Sequence, residues 1–170
     1  MSSERPLLAE IFSTPLGWVG LVVGPRGLER VWLPRHRSAL LREMRSAFPQ
    51  LTLLDEPDAT RPWRQGILEM MKGRPPSFPD HLNWDKLSTF TRAVLVAVRS
   101  IPWGTVMTYG QLAVAVGRPR AARAVGRAVA ANPWPLVVPC HRVVRADGIG
   151  GFGGGVELKR TLLQKEGIWR

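Results

Sequence analysis

The sequence is short of several residue types, and each shortage excludes a class of protein. Its 170 residues include one cysteine, Cys140, so an internal disulfide framework is impossible. No apolar run is long enough to cross a membrane, and the first residues lack the basic-then-apolar layout of a secretory signal peptide. No group of His, Cys and carboxylate residues has metal-ligand spacing, so we expect no metal site. We therefore expect a globular protein of the cytoplasm.

Acidic residues are scarce too, but only in the second half of the chain. Residues 1–85 hold 11 Lys and Arg against 10 Asp and Glu, whereas residues 86–170 hold 13 against 3. A solvated basic surface would explain this, but a one-sided positive field favours a polyanionic partner, with nucleic acid the leading candidate. An anionic membrane fits less well, because no Lys-rich helix with an aromatic face accompanies the charge. In a prokaryote, a nucleic-acid partner would place the protein at the nucleoid.

The first half has the pattern of a small α/β domain with an antiparallel sheet. Short apolar runs separated by Pro and Gly residues are typical of a strand meander. Strands are expected at residues 8–14, 18–23, 28–33 and 51–54. Ser38 is expected to cap a helix that Pro49 ends, and Thr60 to open a helix that ends before Gly73. No residue of this half belongs to a recognisable catalytic motif.

A boundary between two domains is expected near residue 85. Residues 73–80 are too rich in proline for regular structure and indicate a linker, and the charge balance changes just after them. We therefore divide the chain into residues 1–85 and residues 86–170. The second domain is expected to be mostly helical, with a first helix capped by Ser88 or Thr89. The expected fold class is α+β.

A helix-turn-helix is predicted next along the chain. Thr108 followed three residues later by Gln111 is a capping box, and Gly117 suits the position just after the helix. Because Pro119 is accepted in a first helical turn, the following helix is predicted to run from there to Ala131. Two short helices with a tight joint form a helix-turn-helix.

The second helix of this pair carries three arginines and many small residues. Arg120, Arg123 and Arg127 recur at spacings of three and four, which predicts a shared face. The alanines between them leave the backbone nearly bare and would permit a close approach to a bulky partner. Tight packing in a protein core explains the alanines equally well. The arginines favour a surface that faces DNA.

The segment 132–144 holds the only thiol. Its prolines and β-branched residues favour an extended chain. His141 and Arg142 next to Cys140 would lower the pKa of the thiol and activate it, although a lone cysteine is commonly inert and buried. Because neighbouring side chains of an extended segment face opposite ways, a relay between Cys140 and His141 would need a bend or a bridging water.

A glycine-rich run at residues 148–155 follows the cysteine. It lacks the spacing and the lysine of a phosphate-binding loop. A loop that needs positive φ angles and a close backbone approach fits it better. The run leads into a final helix that contains Lys159 and Glu166 and ends at Gly167.

The order of these motifs resembles the active-site half of the O6-alkylguanine-DNA alkyltransferases. The core of the resemblance is Pro-Cys-His-Arg-Val at residues 139–143, and it covers residues 88–167 densely and the first half only loosely. Its flanks are Asn132-Pro133, the glycine-rich run, Lys159, Leu162-Leu163 and Glu166-Gly167, preceded by residues 108–113 and 121–126. Such a core with all its flanks in order is highly specific.

The resemblance implies a DNA repair protein that moves an alkyl group from O6 of guanine to Cys140 once and is consumed. O4 of thymine is a second candidate donor. The resemblance further implies base flipping, no cofactor and no metal. Its partner would be double-stranded DNA containing O6-alkylguanine, with no membrane association, and the protein would act as a monomer.

The resemblance also assigns roles at the DNA. Arg123 matches an arginine that inserts into the base stack, on a helix that includes Ala122. Tyr109 matches a tyrosine that helps to rotate the phosphate and donates toward N3 of the departing guanine. With the charge distribution, it makes five further arginines candidates for phosphate contacts: Arg118, Arg120, Arg127, Arg142 and Arg145.

At the reacting centre, the resemblance implies a relay around the thiol. Cys140 would lose its proton through a water to His141, Glu166 would hold the far nitrogen of the imidazole, and Asn132 would brace the preceding turn. The alternative for Glu166 is an exposed carboxylate near a helix end. The base pocket would be formed by Pro135, Val143, Phe152 and Gly153. Phe152 stands where many members have a tyrosine, and Gly153 where some have a serine.

Two other functions share parts of this pattern. A hydrolase with a Cys-His pair would share the thiolate, but the sequence offers no evident oxyanion site. A non-enzymatic helix-turn-helix protein that binds DNA lesions would share the basic half. Relatives of that kind lack the cysteine, so the presence of Cys140 favours transfer.

Overall fold

The computed structural model describes residues 5–169, and their first part is a small antiparallel sheet. Strands β1 (Leu8–Thr14), β2 (Gly17–Gly24) and β3 (Gly27–Arg35) pair in sequence order, which confirms the predicted meander. The short strand β4 (Thr52–Leu53) pairs with β1 in parallel, so the order is β3-β2-β1-β4. The turns between the first three strands have the positive φ angles that glycine allows.

Two helices accompany this sheet. Helix α1 (Arg37–Ala47) is capped at His36, so the predicted cap at Ser38 is wrong; Ser38 lies inside the first turn, and its hydroxyl is 3.0 Å from Nδ1 of His36. Helix α2 (Arg61–Met71) begins after Thr60, as predicted. Its buried residues face the sheet, so the first half forms a layer of helix on strand.

The residues that directly follow the proline-rich linker pair with β3. Leu82 forms an isolated parallel bridge with Leu28, whose backbone N–H donates to His81 O at 2.7 Å and whose carbonyl accepts from Asn83 N at 3.0 Å. Phe78 stacks on Trp63 of α2 with ring centroids 6.2 Å apart. The domain boundary near residue 85 stays a prediction, and buried side chains from both sides of it form one hydrophobic cluster.

The second half is mostly helical, which confirms the α+β class. Its elements are α3 (Thr89–Arg99), β5 (Met107–Thr108), α4 (Tyr109–Ala115), α5 (Ala122–Ala130), β6 (Val143–Val144) and α6 (Val156–Lys165). Ser88 caps α3, and the capping box of Thr108 and Gln111 is formed in full at α4. Within residues 5–169, no helix is long and apolar enough to span a membrane.

Helices α4 and α5 form the predicted helix-turn-helix, but α5 begins later than expected. Pro119 and Arg120 lie in the connecting turn, which closes where Ala121 N donates to Arg118 O at 2.9 Å. The first helical residue is therefore Ala122, and Arg120 lies outside the helix. The hydrogen-bonded turn therefore sets the start of α5, even though the first turn of a helix would accept Pro119.

The loop before the cysteine is fastened to the sheet by Trp134, which has no exposed surface. Its indole Nε1 donates to Leu28 O at 2.9 Å, and the neighbouring Pro133 O accepts from Val31 N at 2.9 Å. Trp84 packs edge-on against Trp134 with centroids 4.8 Å apart. Strand β3 thus supports the segment that carries Cys140.

Candidate active site

Cys140, His141 and Arg142 form one 3-10 turn, so the prediction of an extended chain at the thiol is wrong. Arg142 N donates to Pro139 O at 2.9 Å and closes the turn. The proline stands just before the turn, where a missing N–H interrupts no helical hydrogen bond. The chain therefore bends at the thiol, and Cys140 and His141 need not face opposite ways.

Asn132 braces the loop that leads to this turn. Its Nδ2 donates to Val138 O at 2.9 Å and its Oδ1 accepts from Trp134 N at 3.0 Å, so one side chain joins both ends of the loop. Inside the loop, Leu136 has a φ of 76°, a left-handed conformation that is strained for a branched residue. Surrounding contacts must hold this conformation, which makes the approach to Cys140 rigid.

His141 and Glu166 form a buried pair. Nε2 of His141 lies 2.8 Å from Oε1 of Glu166, whose carboxylate also accepts from Arg142 Nε at 2.9 and 3.0 Å and from Gly104 N at 3.1 Å. Glu166 is only 8% exposed, so the alternative of a solvent-facing carboxylate is wrong. Every oxygen of this carboxylate has a donor.

Arg142 does not face DNA. It is 6% exposed, and besides Glu166 it donates from Nη1 to Ile101 O at 2.7 Å. Its prediction as a phosphate contact is therefore wrong, because the guanidinium is committed to partners inside the protein. The sequence could not show this, since Glu166 lies 24 residues further along the chain.

The ionisation of this pair favours a neutral imidazole. Burial lowers the pKa of His141 by more than the hydrogen bond and charge of Glu166 raise it. Burial raises the pKa of Glu166, but His141, the charge of Arg142 and the Gly104 N–H together lower it below its ordinary value. An ionised carboxylate assigns the imidazole proton to Nε2. Nδ1, the only buried side-chain N or O atom without a hydrogen-bond partner in residues 5–169, then keeps a free lone pair.

The thiol itself is protonated at rest. Burial raises the pKa of Cys140 by more than the Asn132 side chain, the charge of Lys159 and the backbone N–H groups lower it. The predicted lowering of the thiol pKa by positive charge on His141 and Arg142 does not occur, because the imidazole is neutral and the guanidinium is turned to Glu166. Formation of the thiolate therefore requires a base at the moment of reaction.

Cys140 lies in the wall of a cavity of about 350 Å³. The other lining residues are Leu33, Tyr109, Gly126, Val129, Ala130, Asn132, Pro135, Gly151, Phe152 and Gly153. Pro135, Phe152 and Gly153 thus meet at the cavity, whereas Val143 does not line it. The side chain of Val143 is fully buried in the core beside β5, its backbone N–H donates to Cys140 O, and its carbonyl accepts from Lys159 Nζ.

The sequence missed the part that the first half plays in this cavity. Leu33 at the end of β3 forms one wall, and it comes from a domain in which no catalytic pattern was visible. Gly126 lies beside the ring of Tyr109, where an added Cβ would be 3.9 Å from the ring carbons. The glycine inside α5 is the one signal that could have indicated this close approach.

Tyr109 begins α4 at the cavity wall. Burial raises the pKa of its hydroxyl further, and the nearby Cys140 adds to this effect. The hydroxyl therefore keeps its proton and stays a hydrogen-bond donor.

In residues 5–169, no three His, Cys, Asp or Glu side chains are placed to hold a metal ion.

Helix α5 lines the cavity, and the helix-turn-helix carries four exposed arginines, the last two of them on α5: Arg118, Arg120, Arg123 and Arg127. No carboxylate in the described part of the chain forms an ion pair with any of them, whereas Arg145 pairs with Asp147 at 3.0 Å. Ala122 is half-buried at the start of α5, one helical turn before Gly126, which lines the cavity. An exposed basic surface thus adjoins the pocket that holds the thiol.

Comparison with known families finds a match over most of the second half. Residues 89–168 match the family model for the DNA-binding domain of 6-O-methylguanine DNA methyltransferase. A methylated-DNA–protein-cysteine methyltransferase of Saccharolobus islandicus is 45% identical over 97 residues, which are 57% of this chain and 62% of that protein. One from Salmonella typhimurium is 57% identical over 79 residues, 46% of each chain. The match thus spans less than two thirds of either relative.

Solved structures extend the similarity to both halves. The crystal structure of Mycobacterium tuberculosis OGT in complex with DNA has a TM-score of 0.77 at 29% identity, and the alignment covers 94% of this chain and 93% of that one. The O6-methylguanine-DNA methyltransferase from Pyrococcus kodakaraensis has a TM-score of 0.73 at 29% identity, with 95% and 99% covered. The sheet and the helical half therefore recur together in these proteins.

Proposed function

Because the chain belongs to the O6-alkylguanine-DNA alkyltransferase family, we propose that it repairs DNA by moving an alkyl group from O6 of guanine to Sγ of Cys140. The observation that carries the proposal is the position of the only thiol of the chain in a cavity wall, beside a buried His141–Glu166 pair whose Nδ1 is unpartnered. This is the arrangement of a nucleophile, a base and the group that orients the base.

The transfer needs no second reagent. His141 takes the thiol proton at Nδ1 through a bridging water, and Glu166 stabilises the imidazolium that forms. The Cys140 thiolate attacks the alkyl carbon, so the S–C bond forms as the C–O bond breaks. The electron pair of that bond stays with guanine, which takes a proton at N1 from water while the imidazolium of His141 returns its proton to water, so that no net proton is gained or lost. The thioether cannot be hydrolysed by this machinery, so each protein reacts once.

DNA has to be distorted for this reaction. The alkylated oxygen lies on a base edge inside the duplex, so the nucleotide must rotate out, which costs a few kcal/mol of stacking and pairing. Exposed Arg123 would fill the vacated space, and the small residues near Ala122 would let α5 approach the bases. Tyr109 would donate from its neutral hydroxyl toward the extruded guanine. Arg118, Arg120 and Arg127 would contact phosphates.

The pocket bears on which adducts are accepted. Phe152 offers a ring but no hydroxyl, and Gly153 offers only its backbone N–H for a contact with O6. Recognition of O6 would then rest on main-chain donors and on Tyr109, and recognition of the alkyl group on apolar walls. O4 of thymine presents the same alkylated oxygen on a smaller ring, and we propose it as a weaker donor.

The direct test is the mass of the intact protein after incubation with a duplex containing one O6-methylguanine. We expect a gain of one methyl group, located on Cys140, with one equivalent transferred per protein. Cys140→Ser is the control and should gain nothing while still binding the duplex. Binding of the lesion by the unchanged protein without any mass gain would support the lesion-binding alternative, and repeated repair by one molecule would rule out the single-use mechanism.

A further inference from the structure

Lys159 is a buried cation without a carboxylate partner. It has no exposed surface, and its Nζ donates to Val143 O at 2.6 Å and to Gly151 O at 3.1 Å. None of the ion pairs within residues 5–169 includes it. Lysine is almost never fully buried without a counter-charge, because the desolvated ammonium is costly. The dipoles of two carbonyl groups stabilise the ammonium less than a negatively charged partner would.

Among the described groups around Lys159, Cys140 is the one that can become an unpaired anion. Glu166 is the only buried carboxylate of residues 86–169, and all of its hydrogen bonds go to His141, Arg142 and Gly104. Arg145 lies near Gly150, as the Lys159 ammonium does, and pairs with Asp147. The influence of Lys159 and Cys140 is mutual: the cation lowers the pKa of the thiol, and the thiolate raises the pKa of the ammonium.

We propose that Lys159 is the counter-charge of the Cys140 thiolate, and that its two hydrogen bonds hold the glycine wall of the pocket against β6. The inference rests on the proposed role of Cys140 as the nucleophile. Lys159 does not touch the substrate, so it is a positioning residue. It supplies the positive charge that sequence neighbours of the thiol do not supply, because Arg142 is turned away and His141 is neutral.

A consequence follows for the reacted protein. Burial lowers the pKa of Lys159 to about 8, even with the opposing effect of Cys140. Once the S–C bond has formed, the sulfur is a neutral thioether and that opposing effect is gone. Lys159 then loses its proton at a lower pH than before. The charge of Lys159 on α6 therefore depends on whether Cys140 is a free cysteine or a thioether.

The test uses the pH dependence of Cys140 alkylation by iodoacetamide, which reports the thiolate and needs no DNA. Lys159→Met removes the charge and both hydrogen bonds, whereas Lys159→Gln keeps a donor for Val143 O. In both variants the alkylation rate below pH 8, where the wild-type lysine is charged, should fall about five- to tenfold. Lys165→Met is the matched control, because Lys165 is on the same helix but donates to Met71 O at 2.8 Å. Its profile should not move.

An unchanged alkylation rate below pH 8 in both Lys159 variants would overturn the proposal and leave a structural clamp only. If the variants do not fold, the wild-type protein decides the question through NMR titration of the Lys159 ammonium before and after Cys140 is blocked with methyl methanethiosulfonate. Lys159 should keep its proton to higher pH in the unblocked protein; equal titration curves would overturn the proposal. Failure of methyl transfer from DNA would instead count against the proposed function, because neither measurement uses DNA.

Discussion

His141 donates a hydrogen bond from Nε2 to Oε1 of Glu166 across 2.8 Å, and both side chains are almost fully excluded from solvent. This contact sets the tautomer of the imidazole and leaves Nδ1 as the atom that can accept a proton. The same carboxylate neutralises Arg142, so one buried negative charge serves two purposes.

Glu166→Gln should slow the single-turnover reaction at neutral pH by about 10- to 100-fold, because the group that orients His141 is weakened. The imidazolium would lose its stabilising charge, so the Cys140 thiolate would form only at higher pH. The measurement is the pH profile of alkyl transfer. Glu157→Gln, on the exposed side of α6, should leave the profile unchanged. An identical profile for both variants would exclude Glu166 from the relay.

The free energy of unfolding should fall in acid in two steps. The folded pKa of His141 lies below 6.5, so the unfolded state gains a proton first and stability declines as the pH falls from 6.5 toward the folded value. The folded pKa of Glu166 lies below 4.5, so its contribution is present above 4.5 and is lost as the pH falls through the folded value. Urea unfolding as a function of pH measures both steps. Glu166→Gln should lack the second.

Arg123→Ala should slow repair of duplex DNA far more than the reaction with free O6-benzylguanine. The free base needs no rotation out of a stack, so only the duplex reaction depends on an inserted side chain. We expect a difference of about 10-fold or more between the two losses, since a few kcal/mol of unstacking are at stake. The two rate constants are measured on the same protein preparation. Equal losses on both substrates would place Arg123 outside the extrusion step.

Removal of an exposed arginine beside the pocket should weaken the salt dependence of DNA binding. Each lost phosphate contact lowers the slope of log K against log salt by about 0.9. Arg120→Ala and Arg127→Ala should each show this change, with the reaction of the free base almost unaltered. Arg42→Ala is the matched control, because Arg42 is exposed on α1 in the first half, and it should change neither quantity. If Arg42→Ala flattens the slope as much, DNA does not lie along the second half.

The sequence predicted what depends on neighbours along the chain and missed what depends on distant partners. The capping box of Thr108 and Gln111 was predictable because both groups lie in one helical turn. The orientation of Arg142 was not, because its acceptor comes from the end of another helix. Leu33 was missed for the same reason, since only the folded sheet brings β3 to the cavity. The bend at Cys140 depends on the loop before it as a whole.

The Trp134 indole, which donates to Leu28 O, limits how the chain can be divided. A fragment starting at the linker would leave the indole N–H without its acceptor and expose the largest side chain that is fully buried within residues 5–169. The loop braced by Asn132 would lose its anchor, and the thiol would lose the Leu33 wall. Transplanting the reactive half onto another scaffold therefore requires β3 to be carried with it. The smallest unit that can be engineered as a module is the sheet and the helices together.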